Sequence, residues 1–390
     1  MDQMTDRPFE VGRVRRASFL ERLNRFVVRC RMPKVGLIDA YLPNPGRLCE
    51  LLLPGATLYL TDRVGPVSRS SATRKARYRY TVLAVDHDGT PILLHTQLSN
   101  QVARLLIDEK RIPGLADAEV VAAEVPVGGS RFDFLLRRGG RKSYLEVKSC
   151  TLFGNRVAMF PDAVSQRARR HLVELAGLSR RNARSCVLFL IHTPHVDWFM
   201  PDFHTDFAFS QTMLDLRRKL QFLPVAVEWT DGLRLAPQVK SVEIPWRSLC
   251  REIVDRGSYL LIMELSRDQT ITVGRQGPLH FRGGHYIYAG SAMANLSQRI
   301  ARHLRRRKKL HWHIDYLRQC ANNVTALPIR SSQRQECEVA QAMSAIFPYG
   351  PQGFGSSDCK CPAHLFWHQE NPLHCTSFHT MLHQFRMQSP

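Results

Sequence analysis

The chain has 390 residues, enough for two or three domains with sizeable cores, and Lys plus Arg exceed Asp plus Glu by 55 to 34, a formal charge of +21. No apolar run approaches transmembrane length, and residues 1–8 are polar with no signal-peptide core. Ten cysteines without such a signal read as reduced thiols or metal ligands, so membrane-spanning and disulfide-scaffold classes are excluded and a cytoplasmic protein is expected. The positive excess favours a polyanionic partner, DNA or RNA, since no lysine-rich amphipathic helix marks a membrane surface.

In chain order, the first 85 residues read as a small OB-like β-barrel that binds nucleic acid. Strand-like runs cover 24–30, 35–41 and 56–60, and the loop Leu42-Pro43-Asn44-Pro45-Gly46-Arg47-Leu48 sits between the second and third. Two prolines and a glycine give that loop an irregular conformation in which Arg47 is a candidate contact to a backbone phosphate. The segment 69–80 interleaves Arg74, Lys75, Arg77 and Arg79 with Tyr78 and Tyr80. Such a strand suits phosphate contact with base stacking, and equally a half-buried strand with a solvated face.

The most informative segment is Arg131-Phe132-Asp133-Phe134-Leu135-Leu136, a Gly139-Gly140 turn, then Tyr144-Leu145-Glu146-Val147-Lys148-Ser149. It predicts a β-hairpin in which period-two geometry puts Glu146 and Lys148 on one face, with Asp133 at the same end. Two carboxylates and a lysine so placed can hold a hard dication, Mg²⁺ or Mn²⁺, and set a water against a phosphodiester. Glu124 is a candidate third acidic ligand. This is the pattern of the PD-(D/E)XK nuclease fold, against which stands a surface hairpin whose alternate residues happen to be charged. Beyond it, Pro161 and Asp162 suit the entry and cap of a helix over 164–178, whose Arg169, Arg170 and His171 are candidate nucleic-acid contacts. Val187–Ile191 reads as a buried strand.

From about Pro8 to Val242 the chain resembles the sugar fermentation stimulation protein (SfsA) family. The matching stretches run in the family's order: Phe19–Phe26, Leu42–Leu48, Leu93–Asn100, Ser130–Phe134, Leu145–Ser149, Phe160–Ala163 and Arg169–Leu172. The resemblance implies an OB-like domain followed by a PD-(D/E)XK-like domain over 86–240, DNA binding, and assignment as a DNA/RNA nuclease. By that resemblance Asp133 and Glu146 would be metal ligands, Lys148 the catalytic lysine, and Asn44 and Arg47 of the early loop nucleic-acid-binding residues. A role in stimulating sugar catabolism also travels with the family.

Residues 235–245 read as a junction, and a third domain is expected over 250–370. It opens with the strand Gly257–Met263, continues through Gly283–Ala292 and a helix over 296–304, and carries the cations Arg302, Arg305, Arg306, Arg307, Lys308 and Lys309. That run suits a phosphate patch or an exposed helix end. The region 257–366 resembles GIY-YIG nuclease-related domains, particularly the small type with the motif Trp312-His313-Ile314-Asp315-Tyr316-Leu317. By that resemblance Tyr259 and Tyr288 are the two tyrosines, Arg299 the helix arginine, and Glu336 or Glu338 the metal-binding glutamate. The motifs read Gly-Ser-Tyr and Tyr-Ala-Gly, so a retained binding module is as well supported as a second catalytic one. Cys359, Cys361 and His364, with Cys337, are candidate Zn²⁺ ligands, against buried thiols and a structural histidine. Residues 371–390 are expected to be a fraying polar tail.

The expected fold class is therefore an α/β multi-domain protein: an OB-like barrel, a PD-(D/E)XK α/β domain and a GIY-YIG-like α+β domain. Two functions compete, a metal-dependent nuclease centred on Asp133, Glu146 and Lys148, and a non-catalytic DNA-binding regulator of sugar catabolism on the same fold.

Overall fold

A computed structural model describes residues 13–62, 78–179, 184–230 and 232–389, so Arg74, Lys75 and Arg77 lie outside the described residues. The chain forms two compact units, one of residues up to 202 with 208–245, the other of 246–388 with 203–207.

The first unit begins with β1 (Val14–Asn24), β2 (Val27–Met32), β3 (Gly36–Tyr41), β4 (Thr57–Asp62), β5 (Tyr80–His87) and β6 (Thr90–Leu93). Alternation along these strands sends Phe19, Val28, Cys30, Leu58, Leu60 and Val82 into one core. Antiparallel pairing in the order β3-β2-β1-β4-β5 is closed by parallel pairs Ala40–Tyr80 and Tyr41–Thr81, which makes a five-stranded OB barrel. β6 extends its sheet to Leu93, past the boundary expected at residue 85.

The α/β layer follows: α1 (Thr96–Asp108), β7 (Ala118–Val127), β8 (Ser130–Arg138), β9 (Arg141–Cys150), β10 (Leu152–Gly154), β11 (Val157–Phe160), α2 (Gln166–Leu178), β12 (Cys186–Ile191), β13 (Trp198–Pro201), α3 (Phe207–Asp215), β14 (Gln221–Thr230) and β15 (Arg234–Ser241). The main sheet runs β15-β14-β12-β9-β8-β7, with β12 parallel to both neighbours and buried at all six residues. Residues 235–245, expected as a junction, are mostly β15, the sheet's last strand. Helix α1 buries Val102, Leu106 and Ile107 against Leu145 and Val147 of β9, and α2 lies on the opposite face. The N-cap of α2 is Ser165, whose Oγ accepts from Ala168 N, and not Asp162 as its position suggested.

The second unit comprises α4 (Trp246–Glu252), β16 (Gly257–Leu265), β17 (Gln269–Thr272), β18 (Pro278–Phe281), β19 (Gly284–Ala292), α5 (Leu296–Leu304), α6 (His313–Cys320), β20 (Val324–Arg330), α7 (Glu336–Ser344), β21 (Leu365–His368) and α8 (Thr376–Arg386). An antiparallel sheet in the order β20-β16-β19-β21 carries helices on both faces. Odd residues of β16 (Tyr259, Leu261, Met263) pack with Leu296, Ile300, Ile314 and Leu317 of α5 and α6. Even residues (Leu260, Ile262) pack with α7 and with Phe378, Met381 and Leu382 of α8. The tail expected to fray is thus a docked helix, because every third or fourth residue of 376–386 is apolar and has a sheet to cover. No helix among the described residues is long and apolar enough to cross a membrane.

Phe378 is fully buried, so Phe378→Ala is expected to destabilise the second unit by about 3 kcal/mol or more in urea unfolding, whereas a frayed tail would leave the midpoint unchanged.

Candidate active site and a second polar pocket

The β8–β9 ladder runs from Arg138–Arg141 to Phe134–Leu145 and stops there. At the next position the Asp133 carboxylate replaces the ladder: Oδ2 accepts from Val147 N and Oδ1 from Asn100 Nδ2, both at 2.7 Å. Across the strand, Glu146 Oε1 accepts from Lys148 Nζ at 2.5 Å and from His171 Nδ1 at 2.6 Å. Arg167 Nε donates to His171 Nε2 at 3.4 Å, which leaves the ring proton on Nδ1, toward the glutamate. Glu146 Oε2 is buried and has no hydrogen-bond partner among the described residues.

These environments separate the two acids. Burial, then the neighbouring Glu146, pushes the Asp133 carboxyl up to about 6. Burial acts the same way on Glu146, but the His171 hydrogen bond and the adjacent Lys148 overcome it and hold that acid below its ordinary range. An unsatisfied buried carboxylate oxygen beside a second carboxylate is a hard-oxygen donor set, and the residues present fit a dication.

A cleft of about 480 Å³ opens over this pair, between the barrel and the sheet. Arg25, Arg131, Lys148 and Arg167 line it together with the loops around Asn44 and Pro161. The barrel loop is held from both sides. Arg22 donates to the carbonyls of Gly46 and Arg47 at 2.6 Å. Half-buried Asp162 accepts the backbone N–H groups of Arg47 and Leu48. A Cβ on Gly46 would stand 2.2 Å from Asp162 Oδ2, so only glycine lets the two segments close.

The expected site residues divide accordingly. Asp133, Glu146 and Lys148 converge. Glu124 lies in the cleft wall at a left-handed φ of +53°, but its half-exposed carboxylate pairs with Arg131 at 3.0 Å and not with Asp133 or Glu146. Asn44 is not free to read nucleic acid: its amide donates to Leu94 O and accepts from Gly46 N, which makes it a loop brace. His171, expected to meet a phosphate, is buried and orients Glu146 instead. Arg47, Arg169 and Arg170 are exposed. Asn100 and His192 were not anticipated as site residues. His192 Nε2 reaches Ser99 Oγ at 3.2 Å and Ser149 Oγ at 3.1 Å, and Trp229 Nε1 donates to its Nδ1 at 3.2 Å. That ring, one residue past β12, ties α1, β14 and the end of β9 together through residues adjacent in sequence to Asn100 and Lys148. The sequence clue was Ser99 and Asn100 ahead of the apolar face of α1, polar groups that need partners where the helix packs on the sheet.

In the second unit Tyr259, Tyr288, Arg299 and Glu336 line one pocket of about 400 Å³, along with His313 and Trp312. Tyr259 Oη lies 3.0 Å from His303 Nε2, and the Arg299 guanidinium lies 4.3 Å from the Trp312 ring centre. Burial raises both tyrosines well above their ordinary value, so both phenols keep their protons at neutral pH. Glu336 lines the pocket together with Asp358, and Glu338 is exposed on α7. Glu336 accepts from Ser291 Oγ and lies 3.2 Å from His364 Nδ1. The run of six cations is split: Arg305, Arg306 and Arg307 are exposed, while Arg302 and Lys308 turn inward to fully buried Asp315 at 3.1 and 2.8 Å.

Three family models match the chain: the SfsA N-terminal OB domain over 20–94, the sugar fermentation stimulation protein RE domain over 97–232, and domain of unknown function DUF123 over 258–387. The sugar fermentation stimulation protein homolog of Moorella thermoacetica is 38% identical over 199 residues, 51% of this chain and 82% of the relative. The homolog of Methanosphaera stadtmanae is 33% identical over 197 residues, 50% of this chain and 79% of the relative. A solved structure of Pyrococcus furiosus SfsA in complex with Ca²⁺ is 26% identical with a TM-score of 0.54, and the match covers 60% of this chain and 97% of that one.

Two outcomes are expected from this geometry. Gly46→Ala should cost about 1–3 kcal/mol in chemical denaturation, since the added methyl must displace Asp162. Burial depresses His192 to about 3 against an ordinary 6.5, so the unfolded chain takes up a proton there that the folded chain refuses. That contribution is complete above pH 6.5 and declines as pH falls toward 3. The stability of His192→Gln should therefore fall less steeply than wild type over this window in pH-resolved unfolding curves; parallel curves would contradict it.

Proposed function

The chain belongs to the sugar fermentation stimulation protein family, and we propose that this member is a metal-dependent nuclease that hydrolyses phosphodiesters in the basic cleft of its first unit. The observation that carries the reading is the Asp133–Glu146 pair, Asp133 part-buried and Glu146 buried with its Oε2 unpartnered, beside Lys148 at the cleft floor. Asp133 and Glu146 would hold a divalent cation, Mg²⁺ or Mn²⁺ in turnover, and the Ca²⁺ bound by the Pyrococcus relative supports an oxygen-ligated ion in this fold. When bound, the ion supplies charge neutralisation at the phosphate and a more acidic water.

The chain's own residues do the rest. Lys148 stabilises negative charge on the nucleophile or phosphate, His171 fixes the Glu146 carboxylate, and Asn100 fixes Asp133. Arg25, Arg131 and Arg167 in the cleft, with exposed Arg47, Arg169 and Arg170, receive the backbone phosphates of DNA or RNA. Exposed Arg305, Arg306 and Arg307 offer a separate phosphate surface on the second unit.

The second reading is a DNA-binding regulator without turnover. Lys148 and His171 already engage Glu146 Oε1, which lessens the repulsion of phosphate without any ion, and the relatives' name speaks of stimulation and not of cleavage.

The test is cleavage of labelled single- and double-stranded DNA and RNA with Mg²⁺ or Mn²⁺. Glu146→Ala and Lys148→Ala should each lower the rate by about 10²-fold or more, and Tyr288→Phe should leave it intact. Loss confined to Tyr288→Phe would move the activity to the second unit. Salt-sensitive binding with no cleavage under either metal would leave the regulator.

A further inference from the structure

We propose that the second unit holds a zinc ion between Cys337, Cys359, Cys361 and His364, and that this ion builds one wall of the Tyr259–Tyr288 pocket. The site is independent of the proposed nuclease centre in location, in ligands and in metal.

The four ligand atoms all lie within 4.8 Å of one another. Zinc holds thiolates at about 2.3 Å and imidazole at about 2.0 Å, so tetrahedral ligand atoms stand about 3.5–3.8 Å apart, a small contraction from that spacing. His364 Nε2 already faces Cys359 Sγ at 3.4 Å. Its Nδ1 lies 3.2 Å from the buried carboxylate of Glu336, and Ser291 and Arg334 approach that carboxylate in turn. A carboxylate behind a histidine fixes the tautomer that leaves the other nitrogen free for metal, the outer-shell arrangement of zinc-binding histidines. Soft sulfur with one imidazole selects zinc over the hard cations that suit Asp133 and Glu146. None of these cysteines is in a disulfide.

The ion also answers a question about the backbone. Cys337 sits in the first turn of α7, and the other three ligands come from the connection 345–364, which contains no helix or named strand. Apolar packing alone is a thin constraint on such a length, and a metal clip that joins its end to α7 limits its freedom. The same connection presses on the pocket: Gly355, at φ +76°, brings its Cα so close to Tyr288 that a Cβ would stand 2.6 Å from Cε2. Gly355 N also donates to His313 Nδ1 at 3.3 Å. Glu336 therefore faces two ways, into the pocket and onto a zinc ligand. The carboxylate that the GIY-YIG pattern reserves for a catalytic dication is committed to orienting His364.

The experiment uses the full chain purified under reducing conditions. Zinc is measured by mass spectrometry, and the chelated protein is then titrated with Co²⁺ while thiolate charge-transfer and tetrahedral ligand-field bands are followed. About one zinc per chain is expected, lost in Cys359→Ser/Cys361→Ser and unchanged in Cys250→Ser. Glu336→Gln should keep the tetrahedral Co²⁺ spectrum but bind about 10–100-fold more weakly. Chelation should speed hydrogen exchange across 350–364. Wild type that carries no zinc and gives no Co²⁺–thiolate bands while its thiols titrate as reduced would overturn the proposal. So would zinc that persists in the double cysteine variant, and both measurements stand whatever the outcome of the cleavage assay.

Discussion

A buried carboxylate, Glu146, set beside a part-buried one, Asp133, is the constraint on which the first unit is organised. Asp133 and Glu146 come together where the β8–β9 ladder ends, and each is compensated partly from that hairpin and partly from a helix outside it. Asn100 comes from α1, His171 from α2, and the amide of Val147 from the strand itself. The helices on the two faces of the sheet are therefore fixed by polar contacts as well as by their apolar stripes. The buried, neutral His192 adds a further polar link between these elements, joining Ser99 of α1, Ser149 of β9 and Trp229 of β14.

Asp315 in the second unit shows what a carboxylate looks like when burial serves structure alone. It is fully buried, yet Arg302, His303 and Lys308 surround it and backbone groups of His311 and Trp312 donate to it. Those partners overcome the effect of burial and hold it far below the usual carboxylate range. Asp133 is pushed the other way, and Glu146 keeps an unpartnered oxygen. The same physics that closes one site leaves the other open to a cation, and this difference separates a structural ion cluster from a candidate active site. Glu336 falls between the two, a pocket carboxylate already claimed by hydrogen bonds.

The relatives cover about half of this chain, and residues 258–387 are matched by a separate domain model. The two units have distinct polar centres, one of oxygen donors and a lysine, the other lined by tyrosines, an arginine and a glutamate beside a sulfur-rich cluster.

Local spacing was enough for several of these features. Period-two alternation in 131–149 announced the hairpin and the shared end of Asp133, Glu146 and Lys148. The barrel strands and the all-buried β12 were legible for the same reason, and Cys359-Lys360-Cys361 with His364 announced a cluster. Roles that depend on partners far along the chain were not. Asn44 and His171 look like surface ligands in sequence and are internal braces, the latter because its partner lies 25 residues away. Asp162 looks like a helix cap and instead fastens a loop of the barrel. The residues 371–390 look polar until a sheet face is there to receive every third or fourth side chain. Sequence by itself determined which chemical groups this protein carries and their order along strands and helices, because backbone periodicity is local. Tertiary structure decided which groups are consumed by one another and which keep an unspent lone pair, because burial and hydrogen-bond partnership exist only once distant segments meet.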